Sequence, residues 1–486
     1  MLFAEIFYRD IAWRMKGFLV LCLTLSFFAV GCAPSGGPET FGRPGQGSTG
    51  DNKGARLSVF LNLKEHSGPG IRLRISAVEI LAGGQWMPLI SEPLEIDASE
   101  IKGKQILLSS KSLPPQSYNS LRIKIEKATI HRQEKVVFLA LQKPELLVPI
   151  SPAINLERDD SQSLFITWDV AASIHEIAII DPVMAAEPQS SLLISDLAYV
   201  ACPDIDTVYI IRTDRNWICG SLGIPGRPTY LAIVPSRNRL YVLATDKASI
   251  KVVELSTNRL VDSIQIPLAS NPNFMTLSSD GLRAYILDGR SNHLVRMDLQ
   301  SGTVAERVRL NYRPAYAAYL EDYQRLAVSS ELSQAVYLLN PETLATMDDI
   351  PVSNSPQGLL LCKKLLYIAE SASNAVSVYD LDARQIKARI NVGISPRRLL
   401  LSRDQIYLSN YGGGSVSILL PGQLSVMREI PVGKAPLEMA ISSGRRWLYV
   451  GNQKSRDLTV IDLTSNRVSG QINLGAVPLG LAVFDE

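Results

Sequence analysis

Four histidines serve the whole chain, His66, His131, His175 and His293. Three precede the C-terminal repeats and one lies within them, so they form neither a metal-ligand set nor an acid–base pair. No Gly-x-Ser-x-Gly elbow, phosphate-cradling glycine loop or Asp-x-Asp-x-Asp-Gly calcium loop occurs in the sequence. Asp204-Ile205-Asp206 is the nearest acidic pair in a loop, and it reads as turn chemistry because Asp accepts bonds from the backbone that follows it. The cysteine spacing fits no zinc site and no Cys-x-x-Cys-His haem attachment. No cofactor is therefore expected. What remains is a set of basic and amide side chains beside regularly spaced prolines: Arg227, Asn271, Arg313, Gln357, Arg397 and Lys434. Four cations around one opening would attract an anionic small molecule, a sugar acid or an acidic peptide. The competing reading is a solvated loop rim.

The elements that must position these residues are strands. The prolines at 228, 272, 314, 356, 396, 436 and 478 are spaced 44, 42, 42, 40, 40 and 42 apart. A second marker, Tyr199, Tyr241, Tyr285, Ala327, Tyr367, Tyr407 and Tyr449, keeps a matching period. Within the last unit, Leu448 to Asn452, Leu458 to Leu463, Val468 to Leu474 and Leu479 to Phe484 each alternate or run apolar between Gly, Asn, Ser and Asp breaks. Four strands in a period of about 40–45 residues make a propeller blade. The count is seven, and the first unit lacks its innermost strand. The C-terminal strand is expected to supply it and close the ring. Loops from the fourth strand to the first, and from the second to the third, then share one face, which places the six proline-flanking residues around a channel mouth. Asp246-Lys247, Arg290-Ser291-Asn292 and Asn410 to Gly414 are expected beside them.

The units resemble the YVTN-type β-propeller repeat over roughly residues 197–486. Tyr449-Val450-Gly451-Asn452 with Thr459-Val460-Ile461-Asp462, Tyr367-Ile368-Ala369-Glu370 with Val376 to Asp380, and the Ile-x-Val-Gly-x-x-Pro turns at 390–396 and 430–436 carry the likeness. The turns ending at Pro314 and Pro356 lack the glycine. The resemblance implies a surface or periplasmic binding scaffold more than any one enzyme family.

Residues 1–32 read as an export signal with Met15 as the better start: Met15-Lys16-Gly17, an apolar run from Phe18 to Val30, then Gly31-Cys32. Ala29-Val30-Gly31-Cys32 resembles the bacterial lipobox, with Ala29 in place of the usual leucine. The likeness implies acylation of Cys32, and several acyl chains together give stable anchoring. Ala33 after the cysteine implies outer-membrane sorting where two membranes exist. Residues 33–55 are rich in Gly, Pro and Ser and read as a flexible tether. Residues 56–186 carry alternating runs such as Leu57 to Leu61, Ile71 to Ile75, Leu121 to Ile125 and Phe165 to Asp169, which predict an antiparallel β-sandwich. Gly84-x-Trp86-x-x-Leu89, Leu113-Pro114-Pro115-Gln116-Ser117-Tyr118 and Ile179 to Val183 are similar to an uncharacterised family of bacterial lipoprotein domains, a likeness that transfers no activity. Residues 187–196 read as a linker.

The 486 residues suffice for two or three domains. Net charge is +2, and loss of residues 1–31 removes three basic against two acidic side chains, leaving a near-neutral chain without an electrostatic footprint for nucleic acid. Cys22 leaves with the signal and Cys32 is acylated. Cys202 and Cys219 fall on strands separated by a third, at about 9–10 Å from the ladder spacing, too far for a disulfide. They and Cys362 are expected as free thiols. The overall expectation is an all-β protein, a sandwich followed by a seven-bladed propeller. It is lipid-anchored to the cell envelope and binds an envelope protein or small anionic ligand through the channel face. The rival classes are a propeller lactonase or quinone-dependent dehydrogenase, which need convergent carboxylates and histidines at the axis, and a docking subunit of a redox or surface-export assembly.

Overall fold

The structure, a computed structural model, describes residues 54–64, 70–132, 135–176, 178–190, 196–310, 313–442, 444 and 446–484. The signal, the Met15 start, Cys32 and nearly all of the tether lie outside these residues. Asn52–Glu486 forms one compact unit.

Residues 197–484 form seven four-stranded antiparallel sheets. Each sheet is a blade, with strands a to d running outward from the axis. In blades 2 to 7 strand a begins at the marker proline: Pro228–Val234, Pro272–Leu277, Pro314–Leu320, Pro356–Cys362, Pro396–Ser402 and Pro436–Ser442. Proline suits the first residue of a strand, where no ladder donor is needed. Blade 1 takes Leu197–Cys202, Thr207–Arg212 and Trp217–Gly223 as strands b to d, and the C-terminal Gly480–Phe484 as strand a. The expected closure is therefore observed, and each inner strand touches the next one around a complete ring.

Period-2 alternation gives every blade two apolar faces, which only neighbouring blades can cover. The marker tyrosines, Tyr199, Tyr285, Tyr367, Tyr407 and Tyr449, are fully buried between blades. Several tie blades together. Tyr199 donates to Asn258 Oδ1 of blade 2 at 2.7 Å, Tyr407 to Asn466 Oδ1 of blade 7 at 2.8 Å, and Tyr449 to Asn216 Oδ1 of blade 1 at 2.5 Å. Each of these asparagines sits at positive φ in the turn between strands c and d, a conformation Asn tolerates. Blade 6 has Gly422 there, and its N–H donates to the Tyr367 hydroxyl instead.

Residues 55–188 form one hydrogen-bonded network of twelve strands. Most pairs are antiparallel, as expected, but three are parallel. Ala55–Leu63 lies parallel to Ser161–Asp169, Ile179–Ile180 to Lys135–Leu141, and Val183–Pro188 to Glu145–Asn155. The network is thus a mixed sheet, where the sequence predicts two antiparallel ones. Its core holds Trp168, whose indole donates to Ser173 Oγ, and Tyr118, whose hydroxyl donates to the Pro114 carbonyl four residues back. The long strand Ser117–Arg132 buries Leu121, Ile123 and Ile125 and turns Arg122 outward onto Glu79 and the Trp86 ring.

Candidate functional site

The turn from d to a and the turn from b to c meet at one end of the blades, and in blades 2, 4, 5, 6 and 7 a repeated bond joins them. The residue before the proline offers its carbonyl to the first N–H of the b–c turn of its own blade: Arg227 to Thr245, Arg313 to Glu331, Ser355 to Ser371, Ser395 to Tyr411 and Ala435 to Gln453. All five residues whose carbonyls accept these bonds have positive φ. The same residue's N–H is held by the preceding blade, Arg227 by Asp206 Oδ1, Arg313 by Asn292 Oδ1 and Ser395 by Asn374 Oδ1, each at 2.8 Å. Asp206 lies in a turn, but its carboxylate accepts from Gly226 and Arg227 in the turn entering blade 2 rather than from the backbone that directly follows it. Asp246-Lys247, Arg290 to Asn292 and Asn410 to Gly414 lie in b–c turns on this same proline-turn face.

The six predicted mouth residues divide into three kinds. Arg227 and Arg313 are cations already paired, to Asp246 at 3.3 Å and to Glu331 at 3.3 Å. Asn271 gives its backbone N–H to the buried carboxylate of Asp288, and Lys434 is exposed with its N–H on Ser455 Oγ. Gln357 is only 5% exposed, and its Nε2 has no hydrogen-bond partner. The Arg397 guanidinium lies over the Tyr411 ring at 5.3 Å. Burial pushes its pKa below the ordinary arginine value, Glu331 acting against that shift and Arg398 and Arg313 with it.

One residue deeper, the sequence reading missed a layer. The residue two after each proline is Tyr230, Phe274, Tyr316, Gly358, Arg398, Glu438 and Gly480. Ring centroids of Tyr230 and Phe274, and of Phe274 and Tyr316, are 4.4 Å apart. Arg398 of blade 6 reaches past blade 5 to lie over Tyr316 of blade 4 at 4.5 Å and Phe274 of blade 3 at 5.7 Å. Such contacts between non-neighbouring blades place it across the axis. Arg398 Nε bonds Glu438 of blade 7 at 3.1 Å, their side chains 11 and 8% exposed. Gly358 and Gly480 admit this arrangement. A Cβ on Gly358 would stand 2.3 Å from the Arg397 carbonyl, and one on Gly480 3.0 Å from the Thr229 carbonyl. The only available signal was position relative to proline, since residue type varies from blade to blade.

The electrostatics of this layer are coupled. Burial works against the Arg398 charge, but Glu438 outweighs it and holds the pKa above the ordinary value. Burial, with Glu438 adding and Arg398 opposing, pushes the Tyr316 phenol up to about 12. Tyr230 is raised in the same way, so both phenols stay neutral at physiological pH. Glu438, the carboxylate that the inner strands bring to this layer, is held by a guanidinium rather than free to act as a base. Among the described residues no group of three or more His, Cys, Asp or Glu is placed to hold a metal ion. His175 lies in the N-terminal sheet and His293 on strand c of blade 3, and His66 falls outside the described residues. A cavity of about 510 Å³ opens elsewhere, between the outer parts of blades 2 and 3, lined by Arg237, Arg239, Tyr241 and Asp262.

Residues 359–486 match a family model described as YNCE-like beta-propeller, which spans most of blades 5 to 7 and the closing strand. None of the curated proteins matches the chain. Among solved structures, a functionally unknown protein from Desulfotomaculum acetoxidans DSM 771 is similar, at 14% identity and TM-score 0.53, over 60% of this chain and 99% of that one. A protein from Lactobacillus plantarum is similar at 16% identity and TM-score 0.52, over 60% and 99%. At this identity the likeness carries the fold alone.

Proposed function

We propose that the chain is an exported lipoprotein of the cell envelope, anchored to the outer membrane through Cys32. Its propeller acts as a non-catalytic scaffold that binds a partner on the proline-turn face. One observation carries this reading. The ring brings fourteen strand connections to a common end, and there it exposes cations and apolar side chains together. Arg227 and Lys434 are exposed on the same face as Leu268, Leu332 and Ile394, which are 87, 58 and 60% exposed. Large apolar groups held open on turns of a rigid scaffold are the makings of a contact surface. The axis beneath is filled by rings and by an ion pair whose two charges satisfy each other, which favours recognition over acid–base chemistry.

A photo-crosslinking side chain placed at Lys434 tests the proposal in intact cells, with the same group at Asp404, in the a–b turn at the other end of blade 6, as the comparison. A discrete adduct from position 434 and none from 404 is the expected result. Equal adducts from both ends, or none from 434, would remove the proline-turn face as the binding surface.

A further inference from the structure

The charges at the mouth between blades 4 and 6 do not balance. Arg313 has Glu331, and Arg398 has Glu438. Arg397 stands among Glu331, Arg398, Tyr411 and Arg313, and among the described residues no carboxylate comes within ion-pair distance of it. Three guanidiniums thus share two carboxylates, with one positive charge in excess. Leaving a cation half buried without a counter-charge is costly, and solvent compensates it poorly inside a mouth.

A second, independent observation concerns hydrogen bonding. Gln357 occupies on blade 5 the place that Arg397 occupies on blade 6, directly after the proline, and inner strands 5 and 6 touch at Gly358 and Arg397. Its Nε2 is buried and unpartnered. Arg398 Nη1, on the residue following Arg397, is likewise buried and unpartnered. Buried polar groups are nearly always bonded, so each exception calls for an occupant. Both of these atoms are donors, and the uncompensated Arg397 side chain is also donor-only, with Asn410 Oδ1, across the ladder from Pro396, a buried acceptor left unpartnered as well.

We propose that this part of the mouth is a binding site for one oxyanion group, a carboxylate or a phosphate carried by a small molecule. Arg397 supplies the charge and the forked donors that suit such an anion, and Gln357 Nε2 and Arg398 Nη1 supply further N–H groups. The excess of one charge matches a monoanionic carboxylate best. The Tyr411 ring behind Arg397 limits how far the guanidinium can turn. The inference rests on the binding role proposed for the proline-turn face and specifies its chemistry.

Titration calorimetry of the full chain in detergent, with sodium acetate in one series and sodium phosphate in the other at constant ionic strength, tests it. Saturable binding of at least one ion is expected, and the tighter one identifies the source of the oxyanion. Arg397→Gln should weaken it about tenfold or more, the scale of one charge-assisted hydrogen bond, and Arg397→Lys should restore part of the loss. Gln357→Leu should weaken it severalfold, and Arg403→Gln, in an a–b turn, should leave it unchanged. The proposal falls if neither ion saturates by about 50 mM, far above a millimolar dissociation constant, or if folded Arg397→Gln binds as the wild type does. Partner crosslinking at position 434 without ion binding would overturn the oxyanion site alone. Ion binding without crosslinking would leave the site standing and overturn the partner surface.

Discussion

At the scale of single residues, the position three after each marker tyrosine decides how firmly the turns are held. It carries Cys202, Ala244, Asp288, Ser330, Glu370, Asn410 and Asn452, all buried. Where the residue is a carboxylate it fastens the d–a turn. Asp288 accepts backbone N–H groups from Ser270 and Asn271 on the d–a turn, and from Arg290 and Ser291 on the b–c turn. Glu370 likewise holds Ser353 N and Ser377 Oγ and meets Arg389 at 2.9 Å. Burial alone would raise the Asp288 pKa, but the bonds from Ser270, Ser291 and Asn271 outweigh it and leave it below the ordinary aspartate value. The folded carboxylate therefore stabilises the protein above that ordinary value, and the contribution disappears as pH falls through the depressed folded pKa. Asp288→Ala strands several buried donors and should cost about 3 kcal/mol or more in urea unfolding at neutral pH. Asp288→Asn keeps one acceptor oxygen, so it should cost less and should flatten the acid limb of the stability curve. An Asp288→Ala protein with an unchanged urea midpoint would contradict this account.

At the scale of elements, the ring closes on a strand that the first blade lacks. Gly480–Phe484 pairs along Leu197–Cys202, and the seam gains Leu479 N to Ala201 O, Val477 N to Asp204 Oδ1, Trp447 Nε1 to Thr213 O and the Tyr449 bond to Asn216. Deleting Leu479–Glu486 removes the inner strand of blade 1 and leaves the b strand as an open edge against the axis. The whole propeller should then melt well below the full-length protein by circular dichroism, because every blade leans on its neighbours. A truncated chain with the full-length melting temperature would refute the closure. This part of the fold was legible because proline and tyrosine mark the same two points in each unit, and local antiparallel hairpins follow chain order. The parallel pairing of Ala55–Leu63 with Ser161–Asp169 was not, since its partners stand about a hundred residues apart and a half-buried strand alternates alike in either orientation. The axial layer was hidden for another reason. The ladder shifts register just after the proline in every blade from 2 to 7, so simple alternation gives no reading of which side chain turns inward there.

At the scale of the whole molecule, the N-terminal sheet keeps a core of its own and shares a second apolar cluster with blades 1 and 7 of the propeller. Phe60 stacks on Phe165 with centroids 5.7 Å apart, meets Tyr209 of blade 1 edge-on at 6.2 Å, and packs with residues of blades 1 and 7, on both sides of the closing seam. Two glutamines complete the outer edge of blade 1, which would otherwise present unpaired backbone groups. Gln105 donates to the Ile218 carbonyl and accepts its N–H, both at 3.0 Å. Gln189, within the segment that reads as a linker, donates to the Ser221 carbonyl and accepts the N–H groups of Ser221 and Ser163. Each amide stands in for a neighbouring strand, a role that a single glutamine in a sequence does not announce. The arrangement makes the N-terminal sheet a brace across the closing seam rather than a spacer. Calorimetry of the wild type should therefore show one cooperative transition for both parts. Phe60→Ala with Gln189→Ala opens the shared cluster, the phenylalanine alone costing about 3–5 kcal/mol, and should split the melt in two, with the propeller unfolding first. A doubly substituted protein that still melts once, at the wild-type temperature, would mean that the two parts merely touch.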